Sequence, residues 1–410
     1  MSAAIRERVV LDCRWVQVDS GIGQYAYWLA RMLPKSAPDL EFEIWLPNTD
    51  DPLVRELGMN GDGAHRVCIS GNPRHVASTL RATLHLLARG KALYHSPDWF
   101  GVPALPGRWR SVVTVHDLIP LVAPEWVPLS LKARHPHVYR AAMSTILRGA
   151  SAILTDIEPW ALEIEKHLCI PRDRLQVIPL GVPPAQPMTM EQIRKVRMRF
   201  GLSEAPYVIS VGRPEPYKGL PSVIRAFLRA SRNERLVLVG LRDPRYLAFR
   251  EEARQIKGSE RVVFTDTVDP DTLECLYQGA SAYFTMSRFE GFGLPPLEAM
   301  SRGVPVLAAR NSASEHTLGS AALYVDADDE AGASKALGLL LNDPALRARL
   351  AVAGRKQAAL FSWEACARET AAVYRQVLRG RVSVPARLDR DSPRRPERAE
   401  VPAEVVETGT

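Results

Sequence analysis

The sequence is poor in cysteine, and none of its cysteines is arranged as in a zinc site or a disulfide framework. Its five cysteines, Cys13, Cys68, Cys169, Cys275 and Cys366, are widely spaced, and no two of them form a CxxC pair. An odd number of isolated thiols favours buried, unbridged cysteines. We therefore expect neither a zinc site nor a disulfide-stabilised secreted domain.

The sequence also lacks a long apolar segment. No window is apolar enough over a sufficient length to span a bilayer, and the opening MSAAIRERVV passes into a strand pattern instead of a signal-peptide core. These features predict a cytoplasmic protein. A chain of 410 residues with 46% apolar and 24% charged residues is typical of globular protein and too long for a single hydrophobic core, so two domains are expected.

Acidic residues are scarce in one part of the chain. The formal charge is +7, from 53 basic and 46 acidic residues, and between Arg66 and Arg148 eleven basic residues accompany only Asp98, Asp117 and Glu125. Within this stretch, LSLKARHPHVYRAAMSTILRG is typical of a basic amphipathic helix. Such a helix could contact an anionic membrane or an acidic acceptor, or it could be a solvated face. No nucleic-acid module accompanies the charge, so nucleic acid is not an expected partner.

Short β-branched runs alternate with helical patterns throughout, which predicts parallel sheets with crossover helices. Strands are expected in ERVVLDCRWV, EFEIWLP, HRVCIS, ALYHS, RSVVTVHD, SAILTD and LQVIPL, and then in YVISVG, RLVLVG, RVVFTD, SAYFTMS, VPVLAAR and AALYVD. The segment GVPPAQPMTMEQ separates the two series and marks a domain boundary. We predict a first domain over 1–184, a second over 185–362, a final helix over 363–378 that packs on the first domain, and a disordered tail over 379–410.

A loop with two cations follows the first strand of the second half. The glycines Gly212 and Gly219 flank Arg213 and Lys218 in this loop. Ligands of doubly wound sheets lie at the carboxyl ends of strands. Arg can bind two oxygens through its forked guanidinium, whereas Lys acts as a point charge. The loop is therefore a candidate phosphate clamp.

The segment SRFEGFGLPPLEAMSRGVPVLAAR also follows a predicted strand and carries two carboxylates. Glu290 precedes the turn Gly291-Phe292-Gly293, whose amides could face a phosphate, and two prolines suit the start of a helix that contains Glu298 in its first turn. Carboxylates at these two positions could accept hydrogen bonds from sugar and ribose hydroxyls. No D-x-D cluster lies in a suitable place to hold a divalent ion, which favours metal independence. We expect no other cofactor.

A different enzyme class also fits part of the sequence. The run from Gly21 to Ala26 matches the G-x-G-x-x-A pattern of nicotinamide-dependent oxidoreductases. In those enzymes an acid closes the second strand, whereas Glu41 and Glu43 lie at its beginning here. A non-catalytic sugar-nucleotide binding protein and a nucleotide-sugar epimerase are further alternatives.

The spacing of Glu290 and Glu298 resembles the E-x7-E motif of family 4 of the retaining glycosyltransferases, which have the GT-B fold. Other segments agree in order as far as Leu378: SGIGQYAYWLARML, TVHDLIPLVAPEW, VIPLGV, VGRPEPYKG and FSWEACA. The resemblance implies an α/β protein of two Rossmann-like, doubly wound parallel-sheet domains that face each other across a cleft. It also implies a nucleotide-sugar donor and a saccharide or lipid-linked acceptor.

The resemblance assigns roles to individual residues of the second half. Arg213 and Lys218 match the pair that binds the donor diphosphate, Glu290 matches the carboxylate that holds sugar hydroxyls, and Glu298 matches the one that holds ribose. The backbone of Phe292, Gly293 and Leu294 would lie along the sugar and phosphate. The family mechanism implies attack on the same face as the leaving group, with a donor phosphate oxygen accepting the proton and Glu290 as an orienting group.

In the first half, Gly21 and Gly23 match the glycine loop that approaches the diphosphate across the cleft. His116 matches a histidine that contacts the transferred sugar, and we expect it to act in catalysis with Arg213, Lys218 and Glu290. His95, a second strand-end histidine, is a candidate for the acceptor side.

Three positions depart from the family pattern. The segment TDIEPW lacks the usual serine, Leu180 stands where many relatives have Asn, and Gln24 stands where Arg is frequent. These departures concern the acceptor side. The overall run is most similar to bacterial mannosyl- and rhamnosyltransferases of lipopolysaccharide or exopolysaccharide synthesis, which favours GDP-mannose over dTDP-rhamnose or a UDP-sugar. A lipid-diphosphate acceptor at the inner membrane face would suit the basic stretch.

Overall fold

A computed structural model describes residues 7–14, 21–46, 65–69, 76–89, 92–99, 109–202, 204–231, 233–240 and 247–380. These residues form two compact units. Unit 1 contains the described residues up to Pro183 and those from Phe361 onward, and unit 2 contains Pro184–Leu360. Residues 381–410, which make up most of the predicted disordered tail, lie outside the described residues, as do Arg74, Lys91 and Arg108 of the basic stretch.

Unit 1 is built on a seven-stranded parallel sheet in the order β3-β2-β1-β4-β5-β6-β7. The strands are β1 (Glu7–Asp12), β2 (Leu40–Leu46), β3 (His65–Ile69), β4 (Leu93–Ser96), β5 (Ser111–Thr114), β6 (Ala152–Thr155) and β7 (Leu175–Val177). Its helices are α1 (Gly21–Ser36), α2 (Val76–Arg89), α3 (Ile119–Val122), α4 (Leu131–Arg134), α5 (Pro136–Gly149) and α6 (Glu158–Leu168). Every residue of β4, β5 and β6 is buried, as expected for strands that are covered on both faces.

Unit 2 is built on a six-stranded parallel sheet in the order β10-β9-β8-β11-β12-β13. The strands are β8 (Tyr207–Val211), β9 (Arg235–Val239), β10 (Val262–Phe264), β11 (Ala282–Thr285), β12 (Val306–Ala309) and β13 (Ala322–Val325). The helices are α7 (Met190–Arg199), α8 (Leu220–Ala230), α9 (Leu247–Arg254), α10 (Pro270–Gln278), α11 (Leu294–Ser301), α12 (Ser312–Leu318), α13 (Glu330–Asn342) and α14 (Pro344–Ala358). Phe227 of α8 and Leu337 of α13 pack into one apolar core with Phe284 of β11.

The predicted α/β class with two doubly wound parallel sheets is confirmed. Each described strand lies in a segment for which the sequence predicts a strand, although β2 begins one residue early, at Leu40. In both units the first strand of the series has the second on one side and the fourth on the other. The strand order therefore reverses between β1 and β4 and between β8 and β11. Such a reversal is where doubly wound sheets bind ligands.

The prediction of a single basic helix over residues 129–149 is wrong. The segment instead forms two helices, α4 and α5, because Pro136 begins α5 and disfavours helical backbone at the residue before it. His135 accordingly has φ −127° and ψ 60°. Arg134, Arg140 and Arg148 on these helices are exposed.

The final helix, α15 (Trp363–Leu378), is part of unit 1 and packs along α1. Gly181 allows the close approach, because a Cβ atom there would lie 2.2 Å from the backbone nitrogen of Trp363. Val182 donates a backbone hydrogen bond of 3.1 Å to the carbonyl of Phe361 nearby. The side chain of Trp363 stacks on Trp28 of α1 with ring centroids 5.9 Å apart. Helix α15 is thus held to unit 1 by backbone and aromatic contacts.

Within the described residues, Cys13, Cys169, Cys275 and Cys366 form no disulfide. In the same part of the chain, no helix combines the length and the apolar character that a membrane crossing requires.

Candidate active site

The candidate site of unit 2 lies at the reversal of strand order. Strands β8 and β11 are hydrogen-bonded neighbours in parallel register. Because they are parallel, the loop from Gly212 to Gly219 and the loop from Met286 to Gly293 leave the sheet at the same edge. The predicted phosphate clamp and the predicted hydroxyl-binding segment are therefore brought together.

The two loops are joined by direct backbone contact. The amide of Arg288 donates a 2.8 Å hydrogen bond to the carbonyl of Tyr217. Gly219 has φ +62°, and a Cβ atom there would lie 2.5 Å from the carbonyl oxygen of Met286. Position 219 requires glycine for two reasons: its backbone is left-handed, and the neighbouring chain leaves no room for a side chain. The loops form one continuous backbone platform.

The two predicted phosphate-binding cations have different surroundings. Arg213 is exposed and forms no ion pair with any described residue. Lys218 ends the 3-10 turn Pro216–Lys218, and its ammonium group lies 2.8 and 2.7 Å from the two carboxylate oxygens of Glu290. The side chains of Lys218 and Glu290 are 16% and 13% exposed, so this ion pair is largely shielded from water. The structure brings Lys218 and Glu290 together and leaves Arg213 available to solvent.

The turn after Glu290 leads into α11 through Gly293. Gly293 has φ +89° and precedes the first helical residue, Leu294. Phe292 and Leu294 are buried, which fixes the turn against the core of unit 2. The backbone of Phe292, Gly293 and Leu294 is the part that is predicted to lie along the sugar and phosphate, and the start of α11 has no side-chain cap among the described residues.

Glu298 lies further into α11 than predicted. The helix begins at Leu294 and its first turn holds no acid, so Glu298 is in the second turn and the prediction of its helical position is wrong. The offset arises because Gly293, in a left-handed conformation, is the residue before the helix and both prolines lie inside it. A carboxylate there is too far along the helix to act mainly as a partner of the N-terminal amides.

The carboxylate of Glu298 is instead oriented by Tyr277 of α10. The hydroxyl of Tyr277 donates a 3.0 Å hydrogen bond to Glu298, and its ring lies 5.7 Å from the guanidinium of Arg302. Arg302 is fixed in turn by a buried ion pair of 2.7 Å with Glu274. Burial raises the pKa of Glu298, although Arg302 and the Tyr277 hydroxyl act in the opposite direction. Sequence reasoning missed Tyr277, because nothing in its own helix indicates the carboxylate it meets.

In unit 1, Gly21 and Gly23 lie in the first turn of α1, and residues 15–20 before them lie outside the described residues. Gly21 is exposed, and a Cβ atom there would meet nothing within 4 Å. Gly23 is buried. Their predicted contact with a diphosphate stays a prediction.

His116 follows β5 and is held through both ring nitrogens. Nδ1 lies 2.7 Å from a carboxylate oxygen of Asp156, and Nε2 lies 2.9 Å from the carbonyl of Pro97. The Pro97 carbonyl can only accept a hydrogen bond and the Asp156 carboxylate accepts one from Nδ1, so these contacts favour the imidazolium form of the ring. Burial alone would lower the pKa of His116, but Asp156, Asp98 and the Pro97 carbonyl raise it to about 9. The ring is 8% exposed.

His95 is completely buried, so the expectation that it lines an acceptor site is wrong. Its ring nitrogens hydrogen-bond to the hydroxyls of Tyr374 and Thr114, at 2.5 and 2.9 Å. Burial lowers the pKa of His95 to about 3, which keeps the ring neutral. Thr114 also hydrogen-bonds to Tyr25, whose ring meets His116 edge to face with centroids 4.8 Å apart. A buried polar chain thus runs from α15 to the ring of His116.

Sequence reasoning also missed Asp156, the ionic partner of His116. Asp156 follows β6 directly, His116 lies two residues beyond the end of β5, and β5 and β6 are adjacent in the sheet. Strand-end position was therefore the signal that could have found it. Among the described residues, no group of three or more His, Cys, Asp or Glu is arranged to hold a metal ion.

Comparison with known protein families gives two matches that together span most of both units. Residues 20–181 match the family described as "Glycosyl transferase 4-like domain". Residues 193–357 match the family described as "Glycosyl transferases group 1". The second match contains both loops of the candidate site.

Curated relatives extend these matches over most of the chain. A D-inositol 3-phosphate glycosyltransferase of Xylanimonas cellulosilytica is 31% identical over 328 residues, which are 74% of this chain and 76% of that protein. The O-antigen chain mannosyltransferase B of Escherichia coli is 28% identical over 289 residues, which are 69% of this chain and 74% of that protein.

Solved structures share the fold at lower identity. WaaG, a glycosyltransferase involved in lipopolysaccharide biosynthesis, has a TM-score of 0.66 and 17% identity over 89% of this chain and 98% of that one. HepE of Anabaena, solved in complex with UDP and glucose, has a TM-score of 0.72 and 15% identity over 90% of this chain and 99% of that one. This likeness shows that the fold is that of GT-B glycosyltransferases.

Proposed function

Because the chain belongs to the group 1 glycosyl transferases, we propose that it is a metal-independent, retaining mannosyltransferase that takes mannose from GDP-mannose. One observation carries the proposal: at the strand reversal of unit 2, the cations Arg213 and Lys218 lie on the same platform as the carboxylate Glu290. Cations suit a diphosphate leaving group and a carboxylate suits sugar hydroxyls, so the platform has groups for both parts of a nucleotide sugar.

Charge stabilisation of the leaving group is the main catalytic contribution in this proposal. A nucleoside diphosphate gains negative charge as the glycosidic bond breaks, and Arg213 and Lys218 neutralise it, aided by the backbone amides of Gly293 and Leu294. Glu298 accepts hydrogen bonds from the ribose hydroxyls, with its carboxylate oriented by Tyr277.

The surroundings of Glu290 and His116 support a mechanism without a covalent intermediate. Both oxygens of Glu290 are bonded to Lys218, which suits an orienting carboxylate better than a nucleophile. Both nitrogens of His116 are already protonated and bonded, so this ring has no free lone pair to accept a proton from the acceptor. The acceptor hydroxyl therefore attacks the face that the diphosphate leaves, and a donor phosphate oxygen takes its proton. The predicted contacts of His116, Gly21 and Gly23 with the donor rest on the family resemblance.

The choice of GDP-mannose is supported by the similarity to the O-antigen chain mannosyltransferase of Escherichia coli. dTDP-rhamnose and UDP-sugars are the second choice, since the fold is shared with a protein solved with UDP and glucose. A nicotinamide-dependent oxidoreductase is disfavoured by the acids of β2. Glu41 pairs with Arg8, and the buried Glu43 hydrogen-bonds to Trp45 and His85, so neither is positioned for a ribose at the end of that strand.

We further propose a lipid-diphosphate-linked saccharide as acceptor, at the cytoplasmic face of an anionic membrane, in surface polysaccharide synthesis. On α4 and α5, the apolar side chains of Leu131 and Val138 are exposed beside the exposed arginines. On α2, the side chains of Leu80, Leu84 and Leu87 are also exposed. Apolar side chains beside basic ones suit an anionic lipid surface.

A nucleotide-sugar screen tests the donor. GDP-mannose, dTDP-rhamnose and UDP-glucose are each added to the protein, and the unfolding temperature is measured. We expect GDP-mannose to stabilise the protein most and Glu290→Gln to lose turnover with a saccharide acceptor. Stabilisation by NADH alone would refute the transferase, and a glycosyl adduct trapped on Glu290 would refute the mechanism.

Liposome flotation tests the membrane part separately. The protein should float with vesicles that contain phosphatidylglycerol more than with pure phosphatidylcholine, and less so for the variant Arg134→Glu/Arg140→Glu. Equal flotation with both vesicles would remove the membrane contact from the proposal and leave the donor chemistry untouched.

A further inference from the structure

Most of the acids of the basic stretch lie at one edge of unit 1. Of the three acids between Arg66 and Arg148, Asp98 lies just beyond the end of β4 and Asp117 just beyond the end of β5. Asp156 follows the end of β6. Because β4, β5 and β6 are adjacent parallel strands, these carboxylates belong to the same edge of the sheet. Strand β4 borders the reversal of strand order, where doubly wound sheets bind ligands.

Two of these carboxylates serve the protein itself. Asp156 binds Nδ1 of His116 at 2.7 Å, and Asp117 closes a turn by accepting a 3.0 Å hydrogen bond from the backbone amide of Ile119. The carboxylate of Asp98 interacts with the backbone amide of the next residue, and no side chain among the described residues forms an ion pair or a hydrogen bond with it. Since an ionised carboxylate can accept about four hydrogen bonds, most of its capacity is left for a ligand.

Asp98 is partly buried beside a cluster of aromatic and cationic groups. The rings of Trp99 and Tyr139 are buried with their centroids 5.1 Å apart, and the ammonium group of Lys132 lies 5.1 and 5.6 Å from those two centroids. Nε2 of His116 bonds to the carbonyl of the residue before Asp98. Burial raises the pKa of the Asp98 carboxyl, whereas the positive charges of Lys132 and His116 act in the opposite direction.

This edge suits an uncharged sugar and not a phosphate. The carboxylates of Asp98, Asp117 and Asp156 would repel a diphosphate, whereas a sugar hydroxyl can donate a hydrogen bond to Asp98 and is oriented by it. The hydroxyls of the transferred sugar already have a carboxylate in Glu290 of unit 2. The sugar that receives it is therefore the ligand that fits Asp98.

We propose that Asp98 binds a hydroxyl of the acceptor saccharide, other than the one that is glycosylated, and so helps to select which hydroxyl reacts. The inference rests on the proposed function and adds an acceptor-binding residue to it. The reacting hydroxyl gives its proton to the donor phosphate, so Asp98 holds the acceptor and takes no proton. If the acceptor is linked to a lipid diphosphate, that diphosphate lies away from this edge.

Asp98→Asn tests the contact, because it keeps the size of the side chain and removes its charge. The matched control is Glu125→Gln, which neutralises the third acid of the basic stretch at an exposed position of the 3-10 turn Pro124–Trp126. Initial rates are measured with the donor that the screen selects and with methyl glycosides of mannose, glucose, galactose, rhamnose and N-acetylglucosamine as acceptors.

We expect Asp98→Asn to lower kcat/KM for the best of these acceptors by about 10- to 100-fold, because a hydrogen bond to a charged group is weakened. Its affinity for the nucleotide sugar, measured by isothermal titration calorimetry, should change less than about twofold, which also shows that the variant is folded. Glu125→Gln should change neither quantity.

Monodeoxy derivatives of the best acceptor distinguish a direct contact from a structural effect. One of them lacks the hydroxyl that Asp98 binds, so the wild type should use it about as poorly as Asp98→Asn uses the parent sugar. For that derivative, Asp98→Asn should lower kcat/KM less than about twofold further. The other derivatives that still react should show the full effect of the substitution.

Unchanged kcat/KM for every acceptor would overturn the inference, as would an equal effect of Asp98→Asn on all monodeoxy derivatives, which would indicate a structural role. Weaker binding of the nucleotide sugar by Asp98→Asn would overturn it by showing that the carboxylate holds the transferred sugar. A wild type that binds the donor but transfers to none of the five glycosides would overturn it as well. A wild type that binds none of the three nucleotide sugars would refute the proposed function itself.

Discussion

The strand-end edges of the two units use charged side chains in opposite ways. In unit 2, Arg213 is exposed, and the Lys218–Glu290 pair lies at an edge where a ligand of either charge could replace one partner. In unit 1, the imidazolium of His116 is bonded on both sides to groups of the protein itself, and His95 behind it is fully buried. Both edges come from the same fold with the same reversal of strand order.

The two units therefore differ in what their charged groups can do: the Lys218–Glu290 pair of unit 2 can exchange a partner for a ligand, whereas His116 of unit 1 is held in place by the protein. An exchangeable pair must be strong enough to order the side chains and weak enough to yield to a ligand. A fixed imidazolium needs partners that hold it permanently, because a buried unpaired charge is strongly unfavourable. We therefore expect substitutions in unit 2 to change binding and rate, and those around His116 to change stability first.

The largest effect is expected from Lys218→Ala, which should lower kcat by roughly 10²- to 10³-fold, since it removes a cation from the developing negative charge of the leaving group. Its free energy of unfolding should also fall, by about 1–3 kcal/mol, because the largely buried carboxylate of Glu290 loses a hydrogen-bonding partner. Initial rates with the donor chosen by the screen and urea unfolding of the same samples check both statements. The control is Lys195→Ala on α7, whose cation pairs with Glu191 at the surface. If Lys218→Ala lost stability but kept its kcat, the contrast between the exchangeable charges of unit 2 and the fixed charge of unit 1 would be wrong.

Asp156→Asn should lower the free energy of unfolding by about 1–3 kcal/mol, because it leaves the buried imidazolium of His116 without its counter-charge. The pKa of His116 is raised from 6.5 to about 9 by folding, so its contribution to stability is complete below pH 6.5 and is lost as the pH rises through 9. The wild type should lose this contribution between those values, and the variant should lose less. Urea unfolding from pH 6 to pH 10 measures both.

The exposed Asp173 supplies the control for this pair, since Asp173→Asn should change stability by less than about 0.5 kcal/mol at every pH. Identical pH profiles for Asp156→Asn and the wild type would mean that His116 is not held as an imidazolium.

Tyr277→Phe should raise the KM for the nucleotide sugar about 2- to 10-fold with kcat nearly unchanged, because Glu298 loses one orienting hydrogen bond of about 0.5–1.5 kcal/mol. Tyr207→Phe is the matched control, since its hydroxyl also donates to a partner on α10, the carbonyl of Leu276, but from the opposite edge of the sheet. Steady-state kinetics of both variants measure KM and kcat for the nucleotide sugar. Equal effects on KM would show that α10 acts through its packing and not through Glu298.

The smallest effect is expected from Arg375→Ala, which removes an ion pair of 2.6 Å between α15 and Asp39. Partly exposed ion pairs of this kind contribute about 0.2–1 kcal/mol to the free energy of unfolding, so the unfolding temperature should fall by only a few degrees at most. A much larger loss would mean that surface charge, and not the buried contacts of Trp363 and Tyr374, attaches α15 to unit 1.

Strand positions were predictable because each described strand is a short β-branched run between helical patterns. The helix from Leu129 to Gly149 was predicted as one element because its charge and apolar pattern continues across Pro136, whereas backbone sterics divide it there. For α11 the two prolines predict a later start than the structure has, because Gly293 already turns the chain into the helix before them.

Contacts within the candidate site were less predictable than its location. Strand ends and charge indicate where Arg213, Lys218 and Glu290 lie, but the pairing of Lys218 with Glu290 joins positions 72 residues apart. Tyr277 and Asp156 were missed because each acts on a residue of another element, at a distance that only the folded chain fixes. The burial of His95 depends likewise on Tyr374, which is 279 residues away.

The contact between Gly219 and the carbonyl of Met286 has a consequence for engineering the enzyme's donor preference. Since the loops after β8 and β11 share a hydrogen bond and leave no space between them, a segment exchanged with a relative would carry a backbone shape fitted to its own neighbour. Chimeras that transplant one loop should misfold locally even when every side chain is compatible. Donor preference is therefore expected to move between relatives only when both segments are exchanged together.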